Sequence, residues 1–178
     1  MPGKNKKRND RRIYFITGGA RSGKSSYAQK LALQLSNNPV YVATSRVWDE
    51  DHKKRIDRHK KDRDNRFTLI EEEKHISELK IDNKVVVLDC ITLWLANFFN
   101  DNKNEIEKSL GETKSELKRI FKKNCTFIIV SNEIGMGVHA ENENGRKFTD
   151  LQGWINQFIA ENSDEVFLMV SGIPVRIK

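Results

Sequence analysis

Eight residues near the start of the chain have the types and the spacing needed to hold a polyphosphate. They satisfy the P-loop pattern G-x-x-x-x-G-K-[ST]. Glycines let backbone N–H groups face the phosphates, Lys24 can reach the β- and γ-phosphates, and the Ser25 hydroxyl can hold Mg²⁺. We therefore expect the whole octet to bind a nucleotide: Gly18, Gly19, Ala20, Arg21, Ser22, Gly23, Lys24 and Ser25.

The flanking residues decide whether this octet is a P-loop or a glycine-rich turn that matches by chance. The apolar run Ile13–Ile16 before it predicts a β-strand, and apolar residues at helical spacing follow from Tyr27 to Leu35. A strand that leads into the glycines and a helix that begins near Lys24 are the context in which P-loops occur. The sequence therefore predicts nucleotide binding.

Polar residues directly follow two further apolar runs, an acidic residue after one and two hydroxyl residues after the other. Asp89 follows Val85–Leu88, which is where P-loop enzymes place a carboxylate that coordinates Mg²⁺. Thr44 and Ser45 follow Val40–Ala43. Because ligands of parallel sheets bind at the carboxyl ends of strands, these residues are candidates for the same site. For Thr44 and Ser45, spacing alone leaves a nucleotide contact and ordinary turn chemistry equally open.

The stretch from Asp49 to Arg66 is densely charged and too poor in aliphatic residues to be a core helix. If it is helical, one face carries His52, Ile56, His59 and Arg63, with Lys60 close by. Neighbouring cations lower the pKa of a histidine toward its neutral, nucleophilic form and also neutralise charge on a phosphate. The residues themselves leave two interpretations open, a solvated surface helix or a segment that attacks a phosphate.

Short apolar runs and helical patterns alternate along the rest of the chain. Strands are predicted at Phe67–Ile70, Cys125–Val130 and Val166–Val170, and helices at Glu105–Lys123 and Phe148–Ile159. A polar, glycine-containing loop over 131–145 is expected to close over the ligand, and 172–174 to turn the chain into an antiparallel edge at 175–177. We predict an α/β fold, a single RecA-like P-loop NTPase domain over 13–178, with a mostly parallel sheet flanked by helices.

The net charge of +7 is concentrated at the N-terminus, since residues 1–12 contribute +5 of it. We expect this segment to be a disordered basic tail on a nearly neutral body, which argues against a nucleic-acid partner. No apolar run is as long as a membrane span, and Cys90 and Cys125 lack metal-site spacing. These features predict a cytoplasmic enzyme with two buried, reduced thiols.

From Ile13 to the C-terminus, the chain resembles the bifunctional adenosylcobinamide kinase / adenosylcobinamide-phosphate guanylyltransferase family of cobalamin synthesis. The resemblance rests on an ordered set of motifs: GGARSGKS, VATS, RIDRHKKDR, the strand-end acid before Cys-Ile-Thr, SNEIGMG, the spacing of Arg146, Phe148, Asp150, Gly153, Asn156 and Gln157, and VSGIPVRIK. A P-loop alone has low specificity, whereas this ordered set is highly specific.

The resemblance implies two reactions and a set of residues. A nucleoside triphosphate phosphorylates the aminopropanol hydroxyl of adenosylcobinamide, and GTP then donates GMP to that phosphate through a histidine, which the motif places at His59. It also implies that GTP or ATP and Mg²⁺ are bound and that the enzyme is a homotrimer. The stretch Ile91–Phe99 is too apolar to be exposed and is expected to pack on the sheet or against another subunit, and the resemblance implies that it could supply an interface. The implied nucleotide contacts are Thr44, Ser45, Lys60, Lys61, Asp62, Arg63, Glu71 and Asp89.

The sequence departs from the family pattern at three places. Asp89 stands where some members have Glu, a difference that could alter metal geometry. Ala140 replaces a frequent proline, and Lys61-Asp62 differs from the Asp-Gly of some relatives, so the conformation of these loops is in question. Either Asp89 or Glu133 could accept the hydroxyl proton in the kinase step.

Two other functions share part of this pattern. A kinase of another small alcohol or nucleoside would use the P-loop and Asp89 without His59. A RecA-like nucleic-acid ATPase would use the basic tail as an anchor, although no basic stripe interleaved with aromatic residues is present for a nucleic-acid track.

Overall fold

Seven strands and four helices make up most of residues 11–46 and 64–178, the part of the chain that the structure, a computed structural model, describes. Their bounds are β1 Ile13–Gly18, α1 Lys24–Leu35, β2 Val40–Ala43, β3 Thr68–Glu71, β4 Val85–Asp89, α2 Ile91–Asp101, α3 Ile106–Ile120, β5 Thr126–Val130, α4 Glu143–Glu161, β6 Glu165–Val170 and β7 Ile173–Arg176. A single 3-10 turn at Ile76–Glu78 lies between β3 and β4.

The strands form one sheet in the order β3-β2-β4-β5-β1-β6-β7, in which only β7 is antiparallel to its neighbour. The strand that enters the P-loop, β1, is separated from the strand that ends in Asp89, β4, by β5. This is the order of RecA-like P-loop proteins. The predicted fold class, with its antiparallel C-terminal edge, is confirmed.

Alternate residues of the central strands face opposite sides of the sheet, and both sides are covered by helices. Phe15, Leu88 and Ile129 belong to the core cluster that α2, α3 and α4 complete. Ile16 and Ile128 point to the other side, where Ala28 and Ala32 of α1 pack on them. The sheet is therefore the middle layer of three, and the small residues of α1 let that helix lie close to β1.

The apolar stretch Ile91–Phe99 packs within the chain. It lies in α2, where Ile91, Trp94 and Leu95 are fully buried in the main core. The first of the two predicted alternatives, packing on the sheet, is therefore confirmed, and these side chains are already covered in a single chain. None of the helices in the described ranges is long and apolar enough to cross a membrane.

Two elements begin well before their predicted first residues. Helix α4 begins at Glu143 instead of Phe148, because the Asn142 side chain caps it by accepting a hydrogen bond from the Gly145 N–H at 2.7 Å. Strand β7 already includes Ile173 and Pro174, because a two-residue turn at Ser171-Gly172, with φ of 50° and 86°, reverses the chain. The first turn of α4 is polar and the hairpin is short, so apolar periodicity could not predict where these two elements begin.

Of the stretch Asp49–Arg66, which the sequence allows to be helical, the structure describes only the last three residues. There the Asp64 carboxylate accepts hydrogen bonds from the backbone N–H and the guanidinium of Arg66, and the segment turns into β3. These three residues are not helical, since a local side-chain acceptor competes with helical hydrogen bonds. The rest of the stretch lies outside the described residues.

Candidate functional site

The P-loop joins the end of β1 to the start of α1, and two of its positions have backbone angles that glycine adopts without strain. Gly18 has φ of 147°, and a Cβ atom there would lie 2.6 Å from the carbonyl oxygen of Met169 on β6. Gly23 has φ of 93° and immediately precedes α1. The N–H groups of the first helical turn have no partner within the helix. The loop therefore ends on N–H groups that can donate hydrogen bonds to a phosphate, at the positive end of the α1 dipole.

Lys24, the first residue of α1, is buried beside the loop. Its ammonium group donates a hydrogen bond to the carbonyl oxygen of Gly19 at 2.6 Å. Burial lowers the pKa of Lys24, while the nearby Cys90 and Asp89 groups act in the opposite direction. A cation held under the loop and close to Asp89 is in position to meet the phosphates of a nucleotide.

The turn between β6 and β7 supports the loop from outside it. The N–H of Gly172 donates to the carbonyl oxygen of Ser22 at 2.9 Å. A Cβ atom on Gly23 would lie 3.2 Å from the Gly172 Cα atom, so the two segments are in backbone contact. The sequence analysis did not predict this role of Gly172, although the position lies in the VSGIPV motif. A contact between Gly23 and Gly172 cannot be predicted from either segment alone, because the two segments are far apart in the sequence.

Strand register places the other candidates at the same edge of the sheet as the P-loop. Ala43 at the end of β2 is paired with Asp89 on β4, and Asp89 is paired with Val130 on β5. The Asp89 carboxylate accepts a hydrogen bond from the Tyr41 hydroxyl at 2.6 Å, which fixes its direction. Glu71, on the outer side of β2, is paired with Ala43. Asp89 is thus central at this edge, and Glu71 is two strands away from it.

Thr44 is fully buried, and its side chain links β2 to the residue after β4. Its hydroxyl donates to the carbonyl oxygen of Cys90 at 2.7 Å, and its own carbonyl oxygen accepts from the Asn97 amide at 2.9 Å. Ser45 is half-buried, and its hydroxyl donates to the carbonyl oxygen of Arg46 at 3.2 Å. The Thr44 hydroxyl therefore makes a contact between distant segments and the Ser45 hydroxyl a local turn contact, and the nucleotide contact of both stays a prediction.

Arg46 ties the chain after β2 to α2 and to the segment after β3. Its guanidinium donates two hydrogen bonds to the Asp101 carboxylate, at 2.8 and 3.2 Å, and a third to Glu73. Lys74 also donates to Asp101, at 3.0 Å. The hydrogen bonds from Arg46 and then from Lys74 hold the pKa of Asp101 well below its usual range. The ion pairs of Arg46 with Asp101 and Glu73 hold this end of the described segment 11–46 against the rest of the fold.

The loop after β5 begins against the P-loop. The Ser131 N–H donates to the carbonyl oxygen of Ile16 at 3.0 Å, and the Glu133 N–H donates to that of Gly18 at 2.9 Å. The Glu133 carboxylate accepts from the Gly135 N–H at 2.7 Å, within its own loop. Glu133 therefore lies against the P-loop, and Asp89 lies on the second strand from β1 and close to Lys24, so the choice between them remains open.

A buried polar network fixes the base of this loop. The Ser131 hydroxyl donates to the Asn156 side-chain oxygen at 2.7 Å, and the Gln152 amide donates to both groups, at 2.9 and 3.0 Å. The Asn156 amide donates to the carbonyl oxygen of Asn132 at 3.1 Å. The sequence marked Asn156 only as part of a family spacing; the structure shows what it contacts.

Both cysteines are buried free thiols, as predicted. Burial raises the pKa of Cys90 to about 12 and also raises that of Cys125. Neither thiol is therefore an accessible nucleophile at neutral pH, although Cys90 lies directly after Asp89.

A family model described as "Cobinamide kinase / cobinamide phosphate guanyltransferase" matches residues 14–177, which is nearly the whole chain. The chain belongs to this family. The "Bifunctional adenosylcobalamin biosynthesis protein CobU" of Escherichia coli K12 is 34% identical over 181 residues, with 93% of this chain and 99% of the relative covered. The corresponding protein CobP of Pseudomonas aeruginosa PAO1 is also 34% identical, with 92% and 96% covered.

A solved structure of lower similarity bears on the fold alone. The Pyrococcus horikoshii OT3 protein of Project ID PH0250 has a TM-score of 0.50 at 9% identity, with 94% of this chain and 86% of that chain covered.

For this family member, the structure brings together one part of the predicted site and does not describe another. The structure places Gly18–Ser25, Thr44, Ser45 and Asp89 at the carboxyl ends of β1, β2 and β4, and Glu71 at the same edge of the sheet. His59, Lys60, Lys61, Asp62 and Arg63 lie outside the described residues. Their roles stay predictions.

Proposed function

We propose that this protein carries out two successive transfers on a corrinoid. It phosphorylates the aminopropanol hydroxyl of adenosylcobinamide from a nucleoside triphosphate, and it then transfers GMP from GTP to that phosphate, which gives adenosylcobinamide-GDP and pyrophosphate. The observation that supports this most is the meeting of the P-loop with Asp89 at one sheet edge, in a chain whose match to the family spans 14–177.

The P-loop is the phosphate site in both reactions. The backbone of Gly18–Ser25 cradles the phosphates, and Lys24 leaves the Gly19 carbonyl oxygen to contact them. Because Lys24 is buried, its interaction with a phosphate is less screened by water than that of a surface lysine. In the first reaction this site holds the transferred γ-phosphoryl group; in the second it holds the departing pyrophosphate.

Ser25 and Asp89 are the residues that would hold Mg²⁺. Among the described residues, no group of three or more His, Cys, Asp or Glu side chains forms a metal site. One hydroxyl and one carboxylate are nevertheless a donor set that suits Mg²⁺, which prefers oxygen and usually keeps phosphate and water ligands. When bound, the ion neutralises charge on the phosphates. The Tyr41 hydrogen bond keeps the Asp89 carboxylate directed for this role.

His59 is the nucleophile of the second reaction in this proposal. A neutral imidazole nitrogen attacks the α-phosphorus of GTP, a P–N bond forms, and the bond to the bridging oxygen of pyrophosphate breaks. A phosphate oxygen of the corrinoid then attacks the same phosphorus, the P–N bond breaks, and His59 returns to its neutral form. Lys60 and Arg63 offset the charge on the transferred group, and the remaining nucleotide contacts are Thr44, Ser45, Lys61, Asp62 and Glu71.

The assembly and the location belong to the same proposal. We infer a cytoplasmic homotrimer without a nucleic-acid partner, on the basis of the family resemblance and the nearly neutral body of the chain. The exposed apolar side chains of the β6–β7 hairpin, Val170, Ile173 and Ile177, are available for contact between copies. Light scattering on the purified protein tests this, with a mass of three chains expected and a mass of one chain contradicting it.

A two-step product assay with matched variants tests the proposed chemistry. The protein is incubated with adenosylcobinamide, ATP or GTP, and Mg²⁺, and the corrinoid products are separated and weighed. Lys24→Met should slow both steps by about 10²–10³-fold, the loss typical of one transition-state donor, whereas Lys30→Met on the exposed side of α1 should not.

His59→Ala distinguishes the proposal from a plain kinase. The variant should still form the phosphorylated corrinoid but not its GDP derivative. Wild-type protein that forms only the phosphate would support the kinase interpretation, and wild-type protein that forms neither product would refute both reactions.

A further inference from the structure

A cavity of about 510 Å³ lies between the loop after β5 and the exposed face of α4. The loop contributes Ile134, Val138 and His139, and the helix contributes Arg146, Asp150 and Trp154. Its volume is within the 300–1,000 Å³ of small-molecule sites. None of the predicted nucleotide-binding residues lines it, so the P-loop chemistry does not account for it.

The loop that lines the cavity is hydrogen-bonded to the P-loop at its first residues. The loop that lines it starts at Glu133, whose N–H donates to the carbonyl oxygen of Gly18, and two lining residues, Ile134 and Gly135, follow directly. A molecule in the cavity is therefore at the same edge of the sheet as the phosphates. A flexible arm of that molecule can extend along the loop toward the P-loop.

The lining combines exposed apolar side chains with polar ones. Val138 is 97% exposed and Trp154 is 41% exposed, and Met136 beside the cavity is 81% exposed. Arg146, Asp150 and Trp154 are four residues apart on α4, so they lie along a single face. Large apolar side chains exposed next to a site, with polar groups among them, are typical of a surface that binds a ligand.

The walls of this cavity are built before a ligand arrives. Arg146 donates hydrogen bonds to the carbonyl oxygens of Ala140 and Glu141, at 3.1 and 2.7 Å, which fastens the loop to the first turn of α4. On the opposite face of the helix, Gln152 and Asn156 hold the base of the loop through Ser131. Preformed walls reduce the ordering cost of binding.

We infer that this cavity, which is open to solvent, receives part of the macrocycle of the corrinoid substrate, an inference that rests on the proposed function. A corrinoid is a broad ring with apolar faces and a rim of amide side chains. Trp154 and Val138 offer apolar contact to a ring face, and Arg146, Asp150 and Gln157 offer hydrogen bonds to the amides. The aminopropanol arm then points along Glu133 toward the P-loop, where its hydroxyl is phosphorylated.

Val138→Lys tests this assignment, because Val138 is almost fully exposed and its replacement leaves the core untouched. Leu35→Lys is the matched control: Leu35 is an exposed apolar residue at the far end of α1 from the P-loop. Affinity for adenosylcobinamide is measured by equilibrium dialysis, which needs no turnover, and the KM for the nucleoside triphosphate is measured separately.

We expect Val138→Lys to weaken corrinoid binding by about tenfold, the value of one aliphatic contact, while the nucleotide KM stays the same. Leu35→Lys should bind the corrinoid as the wild type does. Equal affinity in both variants overturns the assignment, as does a Val138→Lys protein whose mass in light scattering falls together with its affinity, since the face is then a contact between copies.

The two proposals fail in different ways. Wild-type protein that converts the corrinoid, with Val138→Lys unaffected, refutes the cavity and leaves the function standing. Wild-type protein that binds the corrinoid through Val138 but forms neither product refutes the function and leaves the cavity standing.

Discussion

Two neighbouring glycines of the P-loop should respond very differently to the same substitution. Gly18 has φ of 147°, and an added Cβ would lie 2.6 Å from the backbone oxygen of Met169. Gly19 has open space, with no atom within 4 Å of an added Cβ. The P-loop pattern allows any residue at position 19 and requires glycine at position 18. It does not give the free energy that a substitution of Gly18 would cost.

The cost of Gly18→Ala has two parts. A non-glycine residue in that backbone region costs about 1–3 kcal/mol. The clash with Met169 must push β1 and β6 apart where Gly18 and Met169 are paired, and such overpacking costs about 1–3 kcal/mol. We expect a loss of about 3 kcal/mol in the free energy of unfolding, and a fall in Tm of about 6–12 °C for a chain of this size.

Urea unfolding followed by circular dichroism measures this loss. Gly19→Ala should change the free energy of unfolding by less than about 0.5 kcal/mol. Gly111→Ala, on the exposed side of α3, should raise it by about 0.5–1 kcal/mol because alanine is the better helix former. The reasoning is refuted if Gly18→Ala is as stable as the wild type, or if Gly19→Ala is equally destabilised.

Three further predictions concern Asp101, the cysteines and Lys24. The pKa of Asp101 is lowered in the folded protein, so its ion pairs stabilise the fold above about pH 4 and are lost as the pH falls further. Asp101→Asn should therefore cost about 1 kcal/mol at pH 7, and the difference from the wild type should shrink steadily in urea titrations as the pH falls below about 4; a constant difference would contradict this. Cys90 and Cys125 should not react with a thiol reagent at pH 8 in the folded protein and should both react in urea, whereas rapid reaction of either thiol in the folded state would contradict their burial. Lys24→Met should weaken nucleotide binding in isothermal calorimetry at least tenfold, with an unchanged affinity arguing against its contact with the phosphates.

Local patterns were enough to predict most of the fold. A strand before the P-loop, a helix after it and apolar runs that end in polar residues all act over a few neighbouring positions, and the sheet formed from them as expected. The prediction that Asp89 lies at the same sheet edge as the P-loop followed from one rule about parallel strands, and the register bears it out.

What the sequence did not reveal depends on contacts between distant segments. The support of Ser22 by Gly172 joins positions 150 residues apart, and the hydrogen bonds of Ser131 to Gln152 and Asn156 join a strand end to a helix. The sequence could not show whether the Thr44 hydroxyl faces a ligand or the protein. In the structure it donates to the carbonyl oxygen of Cys90, which lies on a different segment. The first turn of α4 is polar, so its cap at Asn142 was not predicted from periodicity.

The central claim is that His59 carries GMP, and intact-protein mass spectrometry after incubation with GTP and Mg²⁺ tests it most directly. Wild-type protein should gain the mass of one acid-labile GMP, and so should His52→Ala, a matched control for a nearby histidine outside the family motif. His59→Ala should gain nothing. If His59→Ala acquires GMP as the wild type does, or if the wild type binds GTP and never gains mass, the covalent mechanism proposed here is wrong.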